Sequence, residues 1–242
     1  MKKTSKALLL TLCAVLLVAA SVMGTMAYLT STDEVVNTFT VGKVAIKLDE
    51  AKVDAAGAPV GNERVKANAY KLLPGHTYTK DPTVTVLKDS SDAYVRLKVT
   101  FNNASQIIAM CTDPEFEGEV TGVENAFPLI RMVKFVEANK SKWDGIIPDN
   151  MIETDEMLAN SKYFVADKES NTLTYYFYYN GTVPAADADV VLPVLFNSIT
   201  VPEWTTNEQL AALQNFQITV VAEAIQADGF ANADAAWAAF AA

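Results

Sequence analysis

The chain has 242 residues, 29 acidic against 19 basic side chains and a formal net charge of −10. An acidic chain without a basic cluster repels phosphate backbones and anionic headgroups, which argues against nucleic acid and against peripheral membrane binding. One histidine and two cysteines leave little material for zinc chemistry or for a disulfide framework.

In chain order the first feature is a leader. Lys2, Lys3 and Lys6 precede an apolar run from Ala7 to Ala20, and small residues end it at Thr25-Met26-Ala27. That order of charge, grease and small residues is a secretory signal peptide over 1–27, with cleavage expected between Ala27 and Tyr28. An uncleaved membrane anchor is the alternative, since Ala7 to Ala27 is nearly long enough to span a bilayer. Removing 1–27 takes three lysines and no acid, so −10 becomes −13, and Cys111 is then the sole cysteine. Cys111 reads as a small buried apolar residue. The last stretch, "AAWAAFAA", carries no wall-sorting pentapeptide of the LPxTG kind.

After the leader comes "YLTSTDEVVNTFTVGKVAIKL". Val35, Phe39 and Val41 share one parity, whereas Val44, Ile46 and Leu48 share the other. A strand cannot bury both sets on one face without slipping a residue, so a bulge or break is expected at Gly42. The reading is a strand-like arm over 28–42, with Tyr28, Leu29, Val35, Val36, Phe39 and Val41 as its contacts and Gly42 as its hinge, followed by a β domain over 43–242. The arm is too apolar for a free tail. It has two possible homes, its own sheet or the open edge of a neighbouring molecule.

Glu50 to Ala69, rich in Ala, Gly and charges, reads as a flexible loop. Strands follow: "TVTVL" near Val84; "YVRLKVTF", with Val95, Leu97, Val99 and Phe101 inward; "LTYYFYYN" over Leu173–Asn180; "VVLPVLF" over Val190–Phe196; and "FQITVVAEA", with Phe216, Ile218, Val220, Ala222 and Ala224 inward. Pro193 marks an edge or a bulge. Turn chemistry punctuates the strands at "LPG" (Leu73–Gly75), "DSSD" (Asp89–Asp92) and "YNGT" (Tyr179–Thr182). Seven or more strands with this spacing predict a mainly β fold, a jelly-roll-like antiparallel β-sandwich. An insertion over about 103–162 carries a helix from about Phe127 to Lys142, with Leu129, Ile130, Val133 and Val136 at helical spacing. Two short covering helices are also expected. One follows a capping box in Thr205-Thr206-Asn207-Glu208, and the other is capped by Asn232 with Trp237 and Phe240 on one face.

Three ordered stretches, "GTMAYLTSTDEVVNTFTVGKVAIKLDE", "LLPGHTYTKDPTVTVLKDSSDAYVRLKVTF" and "FQITVVAEAIQADGF", resemble the TasA/camelysin proteins of Gram-positive biofilms. The resemblance fails over Asn103 to about Lys162. It implies export with a signal peptide processed by a SipW-type signal peptidase, and a jelly-roll subunit whose N-terminal arm completes the next subunit's sheet by donor-strand complementation. The expected product is a head-to-tail homopolymer in extracellular matrix or surface fibres, in company with other matrix proteins or polysaccharide.

Members of that family are also described as metallopeptidases, but the residues argue against an enzyme. His76, in "LPGHTY", stands alone, with no H-E-x-x-H helix, and reads as a solvated turn residue. No cofactor is expected. Calcium is the weak exception, through "DSSD" and "AADADV" (Ala185–Val190), because loop carboxylates are all it needs. Acidic pairs such as Asp155-Glu156 in "TDEM" read as chance on an acidic surface. The aromatic run Tyr175 to Tyr179 could present a ring platform, so a monomeric secreted carbohydrate- or surface-binding module is the second reading.

Overall fold

The computed structural model describes residues 11–17, 43–112, 115, 131–146 and 162–240. Internal contacts divide the chain into Met1–Val41 and Gly42–Ala242. In the first unit, residues 11–17 form an exposed helix. Among the described residues no helix is long and apolar enough to cross a membrane.

The second unit is mainly β, and among the described residues its ladders are all antiparallel, an arrangement compatible with a β-sandwich. Twelve strands are described: β1 (Ile46–Val53), β2 (Pro59–Val65), β3 (Thr77–Thr79), β4 (Thr83–Val86), β5 (Ala93–Phe101), β6 (Val133–Phe135), β7 (Trp143–Asp144), β8 (Phe164–Asp167), β9 (Thr172–Tyr179), β10 (Val190–Val191), β11 (Phe196–Thr200) and β12 (Ile218–Gln226). They form three sheets, ordered β10-β4-β1-β2, β3-β11-β6 and β12-β5-β9-β7, with β8 also on β9. One apolar core joins them, including Val84 and Val86 of the first, Tyr78, Phe196 and Ile199 of the second, and Val95, Leu97, Val99, Phe101, Leu173, Tyr175 and Phe177 of the third.

β5 shows the cause most plainly. Its apolar residues alternate with Tyr94, Arg96, Lys98 and Thr100, and burial alternates in step, as a period-two strand requires. β9 pairs with it from Arg96↔Tyr178 to Phe101↔Leu173, and β12 from Ile218↔Phe101 to Gln226↔Ala93.

Three expectations are corrected. Glu50–Ala69 is not a loop: β1 runs on to Val53, and β2 returns beside it with Glu50↔Val65 and Ala51↔Arg64. Asp54 closes the hairpin, its Oδ1 accepting from the N–H groups of Ala56 and Ala58. Gly57 has φ +80°, and a Cβ there would lie 2.5 Å from the Tyr78 ring, so only glycine fits. The helix expected from Phe127 to Lys142 is also absent as drawn. Residues 127–130 lie outside the described residues, helical backbone ends at Met132, and Val133–Phe135 is strand β6 against β11. A 3-10 turn over Glu137–Lys142 and strand β7 follow, so the insertion supplies strands to two sheets. Finally, "VVLPVLF" is two strands. β10 is an edge beside β4, the chain breaks around Pro193, and β11 joins another sheet. The break is clamped by the insertion: Asn139 Nδ2 donates to the Val194 carbonyl at 2.8 Å and Trp143 Nε1 to that of Pro193 at 2.9 Å.

Among the described residues this unit has three α-helices with both ends described, α1 (Ala104–Cys111), α2 (Asn207–Ala212) and α3 (Ala233–Phe240). α2 has its capping box one residue later than expected, between Thr206 and Gln209. α3 starts at Asn232, whose Oδ1 accepts the Ala235 N–H, and Trp237 and Phe240 meet edge to face. α1 borrows its start: Asn103 makes no side-chain cap, and Asn171, at the β8–β9 turn, accepts instead from Ser105 N–H and Oγ.

Candidate functional site

The assembly residues named from sequence, Tyr28, Leu29, Val35, Val36, Phe39 and Val41, lie outside the described residues, as do Gly42 and the cleavage pair Ala27 and Tyr28. What the structure does describe is a candidate acceptor for such an arm. β12 is nine residues long and, among the described residues, pairs on one side only, with β5. Its inward residues Ile218, Val220, Ala222 and Ala224 pack against the core yet stay half-buried. Where β5 places Leu97 and Val95, β12 places Ala222 and Ala224 across from them. Small side chains at the margin leave a shallow apolar strip. β1 passes close to β12, but no ladder joins the two among the described residues. A row of backbone donors and acceptors beside an apolar strip is the surface that accepts an added strand.

The opposite face of the same sheet is covered. Arg96 points outward from β5, forms an ion pair with Glu223 of β12 at 2.6 Å, and lies 4.3 Å from the Trp237 ring centre and 4.9 Å from that of Tyr176. Tyr178 and Phe240 complete the surround at 5.8 and 5.2 Å. Guanidinium stacking on rings fastens α3 to the sheet and fixes Glu223 beside it. Lys162 adds a second tie to α3, donating to Asp234 at 2.9 Å.

This arrangement splits the aromatic run. Tyr175 and Phe177 are buried in the core, Tyr176 and Tyr178 lie under Arg96 and Trp237, and Tyr179 meets Trp143 edge to face. The five rings do not make one platform.

The calcium candidates come together, but as a tie between turns. Ala185 N–H donates to Asp92 Oδ1 at 2.6 Å, Lys88 N–H to Asp189 Oδ1 at 2.9 Å, and Asp89 N–H to the Ala186 carbonyl at 3.1 Å. Among the described residues no group of three or more His, Cys, Asp or Glu is placed to hold a metal ion. Asp155 and Glu156 lie outside those residues. His76 is not a freely solvated turn residue: its Nε2 lies 2.7 Å from the Ala56 carbonyl and its ring meets Tyr78, so it joins the "LPG" turn to the β1–β2 hairpin. Cys111 is buried on α1, and burial pushes its thiol up to about 12, far from the range of a nucleophilic cysteine.

Sequence reading missed a polar cluster under the β1–β2 hairpin. Arg64 of β2 pairs with Asp49 and, at 2.9 Å, with Asp81, and donates to Thr83 Oγ1 at 2.6 Å. Burial alone would raise the Asp49 carboxyl, but hydrogen bonds and charge from Lys47 and Arg64 together hold it below its ordinary value. Deeper still, Lys80 pairs with Glu50. The one local signal for this hairpin is the turn chemistry of "VDAAGAPV", which the loop reading of Glu50 to Ala69 passes over.

No protein-family model, curated protein or solved structure gives a significant match to the chain.

Proposed function

We propose that the protein is a secreted structural subunit, not an enzyme, that polymerises head to tail into extracellular biofilm matrix or surface fibres. The arm over 28–42 of one molecule adds as a strand to β12 of the next, after a SipW-type signal peptidase frees its N-terminus. The observation that carries this reading is the nine-residue edge of β12, unpaired on one side among the described residues and backed by half-buried apolar side chains. A chain that offers both an edge and a spare apolar segment meets the conditions for a heterologous, repeating contact. Ten paired residues would form about five hydrogen bonds at roughly 1 kcal/mol each, and burial of a Phe and two Val adds roughly 4–6 kcal/mol. That sum sustains association when the arm's ordering cost is modest.

The test is electron microscopy of the chain beginning at Tyr28 beside the same chain beginning at Lys43, both concentrated at mildly acidic pH to reduce charge repulsion. Fibres from the first and none from the second are expected. Fibres from both would remove the arm as connector. Phe39→Asp separates the arm's two homes: loss of fibres with an unchanged melting temperature points to the neighbour, and an equal loss of both to the molecule's own sheet.

A further inference from the structure

Beneath the β1–β2 hairpin, one carboxylate lies between an amine and an amide. Lys80 Nζ donates to Glu50 Oε2 at 2.8 Å, and Asn68 Nδ2 donates to Glu50 Oε1 at 3.0 Å. Lys80 is 8 % and Glu50 6 % exposed. Asn68 is held in a fixed pose, with Nδ2 also donating to the Ala51 carbonyl at 2.8 Å and Oδ1 accepting the Val53 N–H at 3.0 Å. Tyr70 closes one side. Its hydroxyl donates to the Thr79 carbonyl at 3.1 Å, its ring meets that of Tyr78, and burial with the charge of Glu50 pushes its phenol up, so it stays neutral.

As a stabilising device the Lys80–Glu50 pair is poor, because desolvation of two charges offsets their attraction. As a reaction site it is well arranged. A lysine amine is a nucleophile once it has lost a proton, and a carboxylate that binds the amine on one oxygen and the amide on the other holds the two in one neighbourhood and can carry protons between them. The Val53 N–H sits where negative charge develops when a nucleophile adds to the Asn68 carbonyl.

We infer that Lys80 and Asn68 become joined by an intramolecular isopeptide bond, with Glu50 as the proton carrier. The Lys80 ammonium gives a proton to Glu50, and the freed lone pair forms the Nζ–Cγ bond while the carbonyl π electrons move to Oδ1. Glu50 passes its proton to Nδ2 and takes the second proton from Nζ. The carbonyl re-forms, the Cγ–Nδ2 bond breaks, and the departing nitrogen collects that second proton. The products are a secondary amide and an ammonium ion, with Glu50 again a carboxylate and no net oxidation or reduction. The bond ties the connection after β2 to the segment between β3 and β4, independently of whether the chain polymerises.

The test is peptide mapping of the folded full chain, denatured and cut with trypsin. The expected product is Ala67–Lys71 joined to Leu72–Lys88, uncut at Lys80, with two amino termini on fragmentation and a mass below that of the two separate peptides by one ammonia. Lys80→Arg keeps the charge but cannot couple, so its digest gives separate peptides, and Glu50→Gln is expected to give the same where it folds. The proposal is overturned by separate peptides in the wild-type digest. It is overturned equally by an ammonia loss confined to Ala67–Lys71, which is ring closure of Asn68 onto its own backbone.

Discussion

β5 and β12 are adjacent, share a register over nine residues and carry the same alternating pattern, yet they end in different environments. The inward residues of β5 are buried to 1 % or less, whereas those of β12 are only half-buried. β5 has a strand on each side and β12, among the described residues, on one. Alternation tells which way a side chain faces. Cover depends on what lies beyond the strand, and that is a property of topology.

The contrast can be broken by substitution. Leu97→Ala removes a fully buried side chain from β5 and should cost about 3–5 kcal/mol by chemical denaturation. Trp237→Ala strips the ring from Arg96 and unseats α3, for about 2–3 kcal/mol, with loss of helical signal in circular dichroism. Val220→Ala, on the half-buried strip, should cost about 1 kcal/mol or less in the monomer. A cost equal to that of Leu97→Ala would mean the strip is already covered within one molecule. Val220→Lys sharpens the point, since an inward lysine guards natural edges; it should abolish fibres while the monomer still melts cooperatively.

The smallest effect concerns pH. Asp49 has a folded-state value below its ordinary one, so its contribution is present above the unfolded value, about 4, and is lost as pH falls through the lower folded value. With partners that are themselves exposed, the loss should be under about 1 kcal/mol. Asp49→Asn should remove that part of the acid sensitivity in melts between pH 5 and pH 2.

How legible each region was follows from its periodicity. β5 and β12 were readable because apolar and polar residues alternate over nine positions, and β9 because its eight residues are a run of aromatic and β-branched side chains. β2 was not, because "PVGNERV" is exposed over most of its length and its side chains answer to Arg64's partners, not to a core. β6 was misread because Val133 and Val136 continue a helical spacing that the ladder to β11 overrides. The split of "VVLPVLF" required knowing that β10 and β11 belong to different sheets. The Glu50, Asn68 and Lys80 constellation was illegible for a different reason. Its members come from a strand and two connections, and nothing local in the sequence marks their convergence.

The borrowed cap of α1 has a kinetic consequence. An eight-residue helix is too short to persist alone, and the groups that begin this one come from Asn171, 66 positions away from Ser105. α1 therefore cannot act as an early seed. It is expected to become helical only once the β8–β9 turn has closed, so a pulse of alkylating agent during refolding should still label Cys111 after β5 and β9 have paired; protection of that thiol in the earliest pulse would count against this order.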